Sequence, residues 1–105
     1  LDGGDEFQGT PASNLAFGRP IVELYRRLRV DAAALGNHEF DWGVDTLRAR
    51  MRQAPYRILA ANVRGPDGRP IRWARPDTLL VRGGLRIGVV GLATPETPRV
   101  TRAVN

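Results

Sequence analysis

Short apolar runs that stop at glycine, set between stretches of helical periodicity, constrain this 105-residue chain more than any other feature. The run Asp31–Leu35, "DAAAL", ends at Gly36 and reads as a buried strand. Before it, Pro20 suits the first position of a helix, where a missing N–H needs no partner. Ile21, Leu24, Tyr25 and Leu28 then share one helical face, with Glu23, Arg26, Arg27 and Arg29 elsewhere. After the strand, Val44 to Gln53 has the period of a second helix, with Val44, Leu47 and Met51 facing inward. "YRILAANV" is the next strand, and Asp67-Gly68 marks a turn-rich loop. "DTLLVRGGLRIGVVGLA" holds two apolar runs around Gly83-Gly84, the pattern of a hairpin with a two-residue primed turn, and "IGVVGLA" reads as a buried strand. After "LDGGDEFQGTP" a glycine- and proline-marked loop runs to Gly18, and Gln8, Thr10 and Pro11 shape the loop after Asp5. Strand, helix, strand, helix, strand and hairpin together predict an α/β sheet with helices packed on it.

The run lengths also set limits. None approaches a membrane-spanning segment. A net charge of +5, carried on sixteen basic residues that are all arginine, raises the question of nucleic acid. The clusters "YRRLR", "LRARMR" and "GRPIRWAR" are scattered, and the two helical ones are not interleaved with stacking aromatics, so nucleic acid is not the expected partner. Without cysteine there is no disulfide and no thiolate metal site. The chain begins at Leu1 with no methionine or signal segment, "LDGGD" reads as the tail of a strand, and "TRAVN" closes on no element. The expectation is a single partial domain, residues 1–105, truncated at both ends.

In open α/β sheets ligands gather at the carboxyl ends of strands. Two polar clusters fall there, Asp5 after the first strand and Asn37-His38 after the second. Asp5 follows two glycines, which let the backbone turn sharply, and its carboxylate can bridge two cations. Asn37 adds a neutral carbonyl oxygen that suits hard or borderline divalent metals. His38 fits a role beside the metals, donating a proton or hydrogen bond to substrate, with Asp41 holding the imidazole. The plain alternatives are that Asn37 is an ordinary loop residue and that Asp41 or Asp45 caps the following helix. Glu39 reads as a loop anchor, Asp2 as structural, and Phe7, Phe40 and Trp42 as packing residues.

"GGDEFQGTP" followed by "LGNHEFDWG" resembles the 5′-nucleotidase family of calcineurin-like metallophosphatases, and "ILAANV" and "IGVVGLATPET" resemble segments that follow in that family in the same order. The likeness runs from Leu1 to about Pro98. It implies a fragment of a four-layer α-β-β-α sandwich. It implies that Asp5 bridges two divalent ions (manganese, zinc or similar) and that Asn37 ligates the second and contacts the phosphate. His38 would then be the catalytic histidine at the substrate phosphate and Asp41 its partner, with a metal-activated water attacking phosphorus in line. Nucleoside monophosphates are the implied substrate, in a periplasmic or extracellular protein. UDP-sugars, 2′,3′-cyclic nucleotides and thiosulfohydrolase chemistry are the alternatives within the family, and a non-catalytic remnant or interaction domain is the alternative outside it.

The family's upstream Asp-x-His and downstream Gly-His-x-His motifs do not occur here, where His38 is the only histidine. The expectation is therefore weak metal binding and no appreciable hydrolysis by these 105 residues alone. The remainder of the domain and a C-terminal substrate-binding domain would have to come from a longer chain, and without its sheet partners the chain should expose apolar surface.

Overall fold

A computed structural model describes residues 1–101. The element order is α1 (Pro11–Leu15), α2 (Arg19–Leu28), β1 (Ala32–Ala34), a 3₁₀ turn (His38–Phe40), α3 (Val44–Gln53), β2 (Arg57–Leu59), β3 (Asp77–Arg82), β4 (Leu85–Val90) and α4 (Thr97–Val100). β1 and β2 pair in parallel with Ala33 opposite Ile58. Single parallel bridges widen this ribbon on both sides, Asp2 to Ala33 and Leu59 to Arg75. β3 and β4 form an antiparallel hairpin. The fold is α/β, as the alternating pattern predicts.

Side chains two residues apart on a strand share a face, and that rule divides the ribbon. Ala33 and Leu35, with Ile58 and Ala60, form the floor of a core that Phe7, Val22, Phe40, Leu47 and Tyr56 close from the other side. Ala32, Ala34 and Leu59 line an open cavity of about 420 Å³ with Leu1 and the segment Val89 to Leu92.

Several elements depart from their expected form. The segment after Asp5 is a loop only as far as Thr10, which caps α1: its hydroxyl accepts from the Ser13 N–H at 3.2 Å, and Pro11 occupies the first turn. The buried Ser13 hydroxyl in turn donates to the Phe7 carbonyl. α2 begins one residue earlier than expected, so Pro20 is its second residue. Its buried stripe is turned toward Val22, leaving Leu24 and Leu28 exposed while Ile21 and Tyr25 pack on the core. α3 has the predicted bounds, with Leu47 buried. The strand in "YRILAANV" stops at Leu59. Beyond it, Asn62 clamps the segment after β4, its amide donating to the Ala93 carbonyl at 2.8 Å and accepting from the Ala93 N–H at 2.9 Å.

The hairpin turns at Gly83 and Gly84 with φ of 55° and 79°, the left-handed pair that a primed turn requires. Its second strand is not buried as expected. Leu85, Ile87 and Val90 are exposed, and only Gly91 and Ala93 beyond them are covered. Among the described residues β4 has one hydrogen-bonded neighbour, β3. The expectation that the chain closes on no element falls partly on residues 102–105, outside the described residues.

Two half-buried acids meet tyrosines. The Tyr56 hydroxyl donates to Glu6 Oε1 at 2.9 Å, while Oε2 is buried with no hydrogen bond among the described residues. Tyr25 donates to Asp2 Oδ2 at 2.8 Å and packs against the Tyr56 ring. Loss of water around Glu6 pushes its carboxyl up to about 8, against the opposing pull of the Tyr56 hydrogen bond. An ordinary carboxyl at 4.5 in the unfolded chain would release its proton first. The stability from this group is therefore full below pH 4.5 and is lost as the pH rises through about 8. Glu6→Gln should flatten that fall. Urea midpoints of the metal-free protein between those two pH values check it; an unchanged slope would place the titration elsewhere.

Candidate active site

The Asp2 segment and β1 run parallel and side by side, so the loops that leave their carboxyl ends emerge together. The first carries Asp5 and the second carries Asn37, His38 and Asp41. Asp5 sits at φ 61°, a left-handed conformation that a non-glycine residue adopts at a cost. Gly36 explains part of this. A Cβ there would overlap Asp5 Oδ1 and lie 2.5 Å from the Asp5 backbone nitrogen, so the carboxylate occupies space that only glycine leaves open.

Glu39 lies between the two loops and is 1% exposed. Its Oε2 accepts from the Asp5 N–H at 3.0 Å and the Gly36 N–H at 2.7 Å, and its Oε1 from the Phe7 N–H at 3.1 Å. Burial raises its pKa and the three N–H groups lower it, with burial the larger effect. It takes the anchoring place expected of it.

Asp5 Oδ1 accepts from the His38 N–H at 3.1 Å, which binds the two loops a second time. The His38 ring nitrogen Nδ1 lies 2.7 Å from Asp41 Oδ2. With Nδ1–H assigned as the donor, Nε2 is the free end of the ring. The hydrogen bond to Asp41 holds the imidazole pKa above its ordinary value, partly offset by burial and assisted by the charges of Asp41, Asp5 and Glu39. Asp41 does not cap α3, nor does Asp45: the cap position is Gly43, and no side chain bonds the first turn. Asn37 opens the 3₁₀ turn, its carbonyl accepting from the Phe40 N–H at 3.1 Å. Its side-chain amide makes no hydrogen bond among the described residues. Phe40 packs edge-on to Trp73, and Trp42 edge-on to Phe17, so these rings are packing residues.

The structure thus brings Asp5, His38 and Asp41 into one hydrogen-bonded unit with Asn37 beside it. A divalent cation fits part of this unit. Asp5 and Asn37 present carboxylate and amide oxygens, the donors that hard and borderline cations prefer. Among the described residues, however, no group of three or more histidine, cysteine, aspartate or glutamate side chains is placed to hold a metal. Glu6–Tyr56 and the Asn62 clamp were not anticipated. Their partners lie 50 and 31 residues away in sequence, with no local pattern to mark them.

No family model matches the chain. Individual proteins do, and the likeness is first to a broad class: over 93% of its length the chain is 27% identical to a calcineurin-like phosphoesterase from Bacillus subtilis, covering 35% of that chain at a TM-score of 0.75. Within that class the likeness is to the 5′-nucleotidases. The chain is 40% identical over 102 residues to the snake venom 5′-nucleotidase of Naja atra, a match covering 93% of this chain and 19% of that protein. The crystal structure of a 5′-nucleotidase precursor from Thermus thermophilus superimposes at a TM-score of 0.86 with 39% identity, over 96% of this chain and 20% of that one. In sequence and fold the chain is similar to one segment of these 5′-nucleotidases, and it spans about a fifth of the length of the relatives it matches.

Two outcomes test the geometry. Gly36→Ala should force the Asp5 backbone aside and destabilise the protein by about 1–3 kcal/mol, as read from denaturant midpoints. Asp41→Asn should lower the His38 pKa, as read from the imidazole resonances in an NMR titration of the metal-free protein. No change there would mean that Asp41 does not govern the ring.

Proposed function

We propose that this chain is part of a metal-dependent phosphoester hydrolase that releases phosphate from nucleoside monophosphates, a 5′-nucleotidase. The observation that carries the reading is the linkage of Asp5 to His38 and of His38 to Asp41 at 3.1 and 2.7 Å, at the carboxyl ends of two parallel strands. Homology to 5′-nucleotidases over nearly the whole chain supports it.

Asp5 and Asn37 would hold divalent cations, with the remaining ligands supplied from outside the described residues. Bound there, the cations would supply charge neutralisation at the phosphoryl oxygens and a lowered pKa for the attacking water. The chain's own residues supply orientation and a proton. Asp5 spends one lone pair on the His38 N–H and keeps its other oxygen, Oδ2, without a hydrogen bond among the described residues. Asn37 brings an uncharged amide to the same corner, where it can meet both a cation and a phosphoryl oxygen. Asp41 fixes the His38 ring, so that Nε2 faces the substrate and carries a proton in the imidazolium form that the raised pKa favours. That proton can be donated to the phosphoryl group or to the oxygen of the departing nucleoside.

A secreted or periplasmic setting accords with a relative from venom and one described as a precursor. No helix among the described residues is long and apolar enough to cross a membrane.

The direct experiment is phosphate release by the full-length protein from AMP, UDP-glucose and a 2′,3′-cyclic nucleotide, with chelator and with added manganese. Metal-dependent release that favours AMP is expected. Preference for either other substrate would shift the reading within the family, and absence of turnover with metal bound would point to another ester or a sulfur substrate. Asp5→Ala should abolish activity together with metal binding. His38→Ala should lower kcat by about 10²–10⁴-fold with the metal retained; loss of metal in that variant would make His38 a ligand.

A further inference from the structure

We infer that Glu39 is a positioning residue for the cation site: its buried carboxylate locks the Asp5 loop onto the Gly36–Asn37 loop before any cation arrives, and so sets the affinity for the cation. The inference rests on the reading of Asp5 and Asn37 given above. Glu39 touches neither the proposed ligand oxygens nor the space a substrate would take. It acts through backbone N–H groups, two from the Asp5 loop and one from the loop of Asn37.

The geometry singles out this side chain. One carboxylate accepts three backbone N–H groups drawn from positions 34, 32 and 3 residues away, so it ties both loops by their backbones at once, beside the single bond that Asp5 Oδ1 makes to the His38 N–H. The Phe7 N–H is buried at this contact and has no water to turn to if the carboxylate is lost. The Asp5 N–H points at Glu39 from a residue held in a left-handed conformation, which persists only where its surroundings enforce it. Gly36 is the counterpart on the other loop. Its N–H donates to the same Glu39 oxygen as that of Asp5, and its missing side chain leaves room for the Asp5 carboxylate. The clamp and the close approach therefore act on the same pair of residues. Without the clamp, a cation would have to pull Asp5 and Asn37 together itself, and part of its binding energy would be consumed in doing so.

The chemistry also says which substitution breaks the clamp. A glutamine has one acceptor oxygen and one NH₂ group, so at least one of the three N–H groups would face another donor. An aspartate keeps both oxygens but is one methylene shorter and cannot reach all three at these distances.

Manganese titration of the full-length protein by calorimetry, alongside its thermal unfolding, reads the effect. Glu39→Gln is expected to weaken manganese binding by about 10–100-fold in a protein that still unfolds cooperatively, with Glu39→Asp between it and wild type. Excess manganese should restore much of the Glu39→Gln turnover and none of that lost in His38→Ala. Unchanged manganese affinity in a folded Glu39→Gln protein would overturn the inference and leave Glu39 with a fold-stabilising role only. Should neither variant fold, hydrogen exchange on metal-free wild-type protein decides. Protected amides at Asp5, Phe7 and Gly36 are expected, and amides that become protected only when manganese is added would overturn the inference. Wild-type protein that binds no manganese would instead overturn the reading of the site, and the exchange pattern tells that failure from this one.

Discussion

Asp2 exchanges two backbone hydrogen bonds with β1: its N–H donates to the Ala32 carbonyl at 3.0 Å, and its carbonyl accepts from the Ala34 N–H at 3.1 Å. Because this pairing is parallel, both segments end at the same edge, and whatever follows each of them must emerge there. The next pairing, Ala33 with Ile58, continues the sheet in the same sense. The position of the site is thus a property of strand direction before it is a property of any functional side chain. An antiparallel pairing of the same two segments would have put Asp5 and His38 at opposite ends. The short strands suffice because hydrogen bonds between the loops, rather than length of sheet, complete the attachment.

Those loops draw carboxylates inward, and the buried Glu39 and the half-buried Glu6 are treated differently. Glu39 is surrounded by three N–H groups, which return to the carboxylate much of the stabilisation that water would have given. Glu6 has one hydroxyl on Oε1 and nothing on Oε2 among the described residues, and its pKa rises to about 8. Burial raises the pKa of both, and the two differ in how many donors they have to offset it. That difference also gives them different mechanical value. An acceptor of three N–H groups fixes backbone, whereas a carboxyl that bonds a single hydroxyl mainly joins Tyr56 to the loop.

What the sequence made legible was what is local. α3 could be bounded because Gly43 precedes it and its apolar residues keep helical spacing to Gln53. The hairpin was legible because two consecutive residues at φ above zero demand something like Gly83-Gly84. His38 and Asp41 could be paired because three residues apart on a tight turn is within reach of an imidazole and a carboxylate. α1 escaped because five residues give no periodicity, and its capping Thr10 lies among glycine and proline that read as loop. The rotation of α2 toward Val22 escaped because a stripe shared by Ile21 and Tyr25 can extend to either side, and the packing partner decides which. β4 was read as buried from composition alone; apolar content shows what a strand can pack against, and whether a layer is present to cover it is a separate fact. Glu39 could be named as an anchor, but not the three amides it holds, because two of them come from across a long excursion of the chain.

The formal charge of +5 gives the wrong sign for this corner of the molecule. Asp2, Asp5, Glu6, Glu39 and Asp41 are five of the chain's eleven acids, and contacts among residues 2 to 41 gather them around the two loops. Several of these acids raise one another's pKa or that of His38, the sign of a locally negative potential. A phosphate dianion brought to Asp5 without a counter-charge would be repelled, however well His38 were placed to donate to it. Under the reading proposed above, the same field would favour a divalent cation at the exposed Asp5 and uncharged Asn37, and such a cation would supply the counter-charge a phosphoryl group needs there. In that reading His38, whose proton these acids favour keeping, is the side chain of the cluster whose charge would oppose theirs.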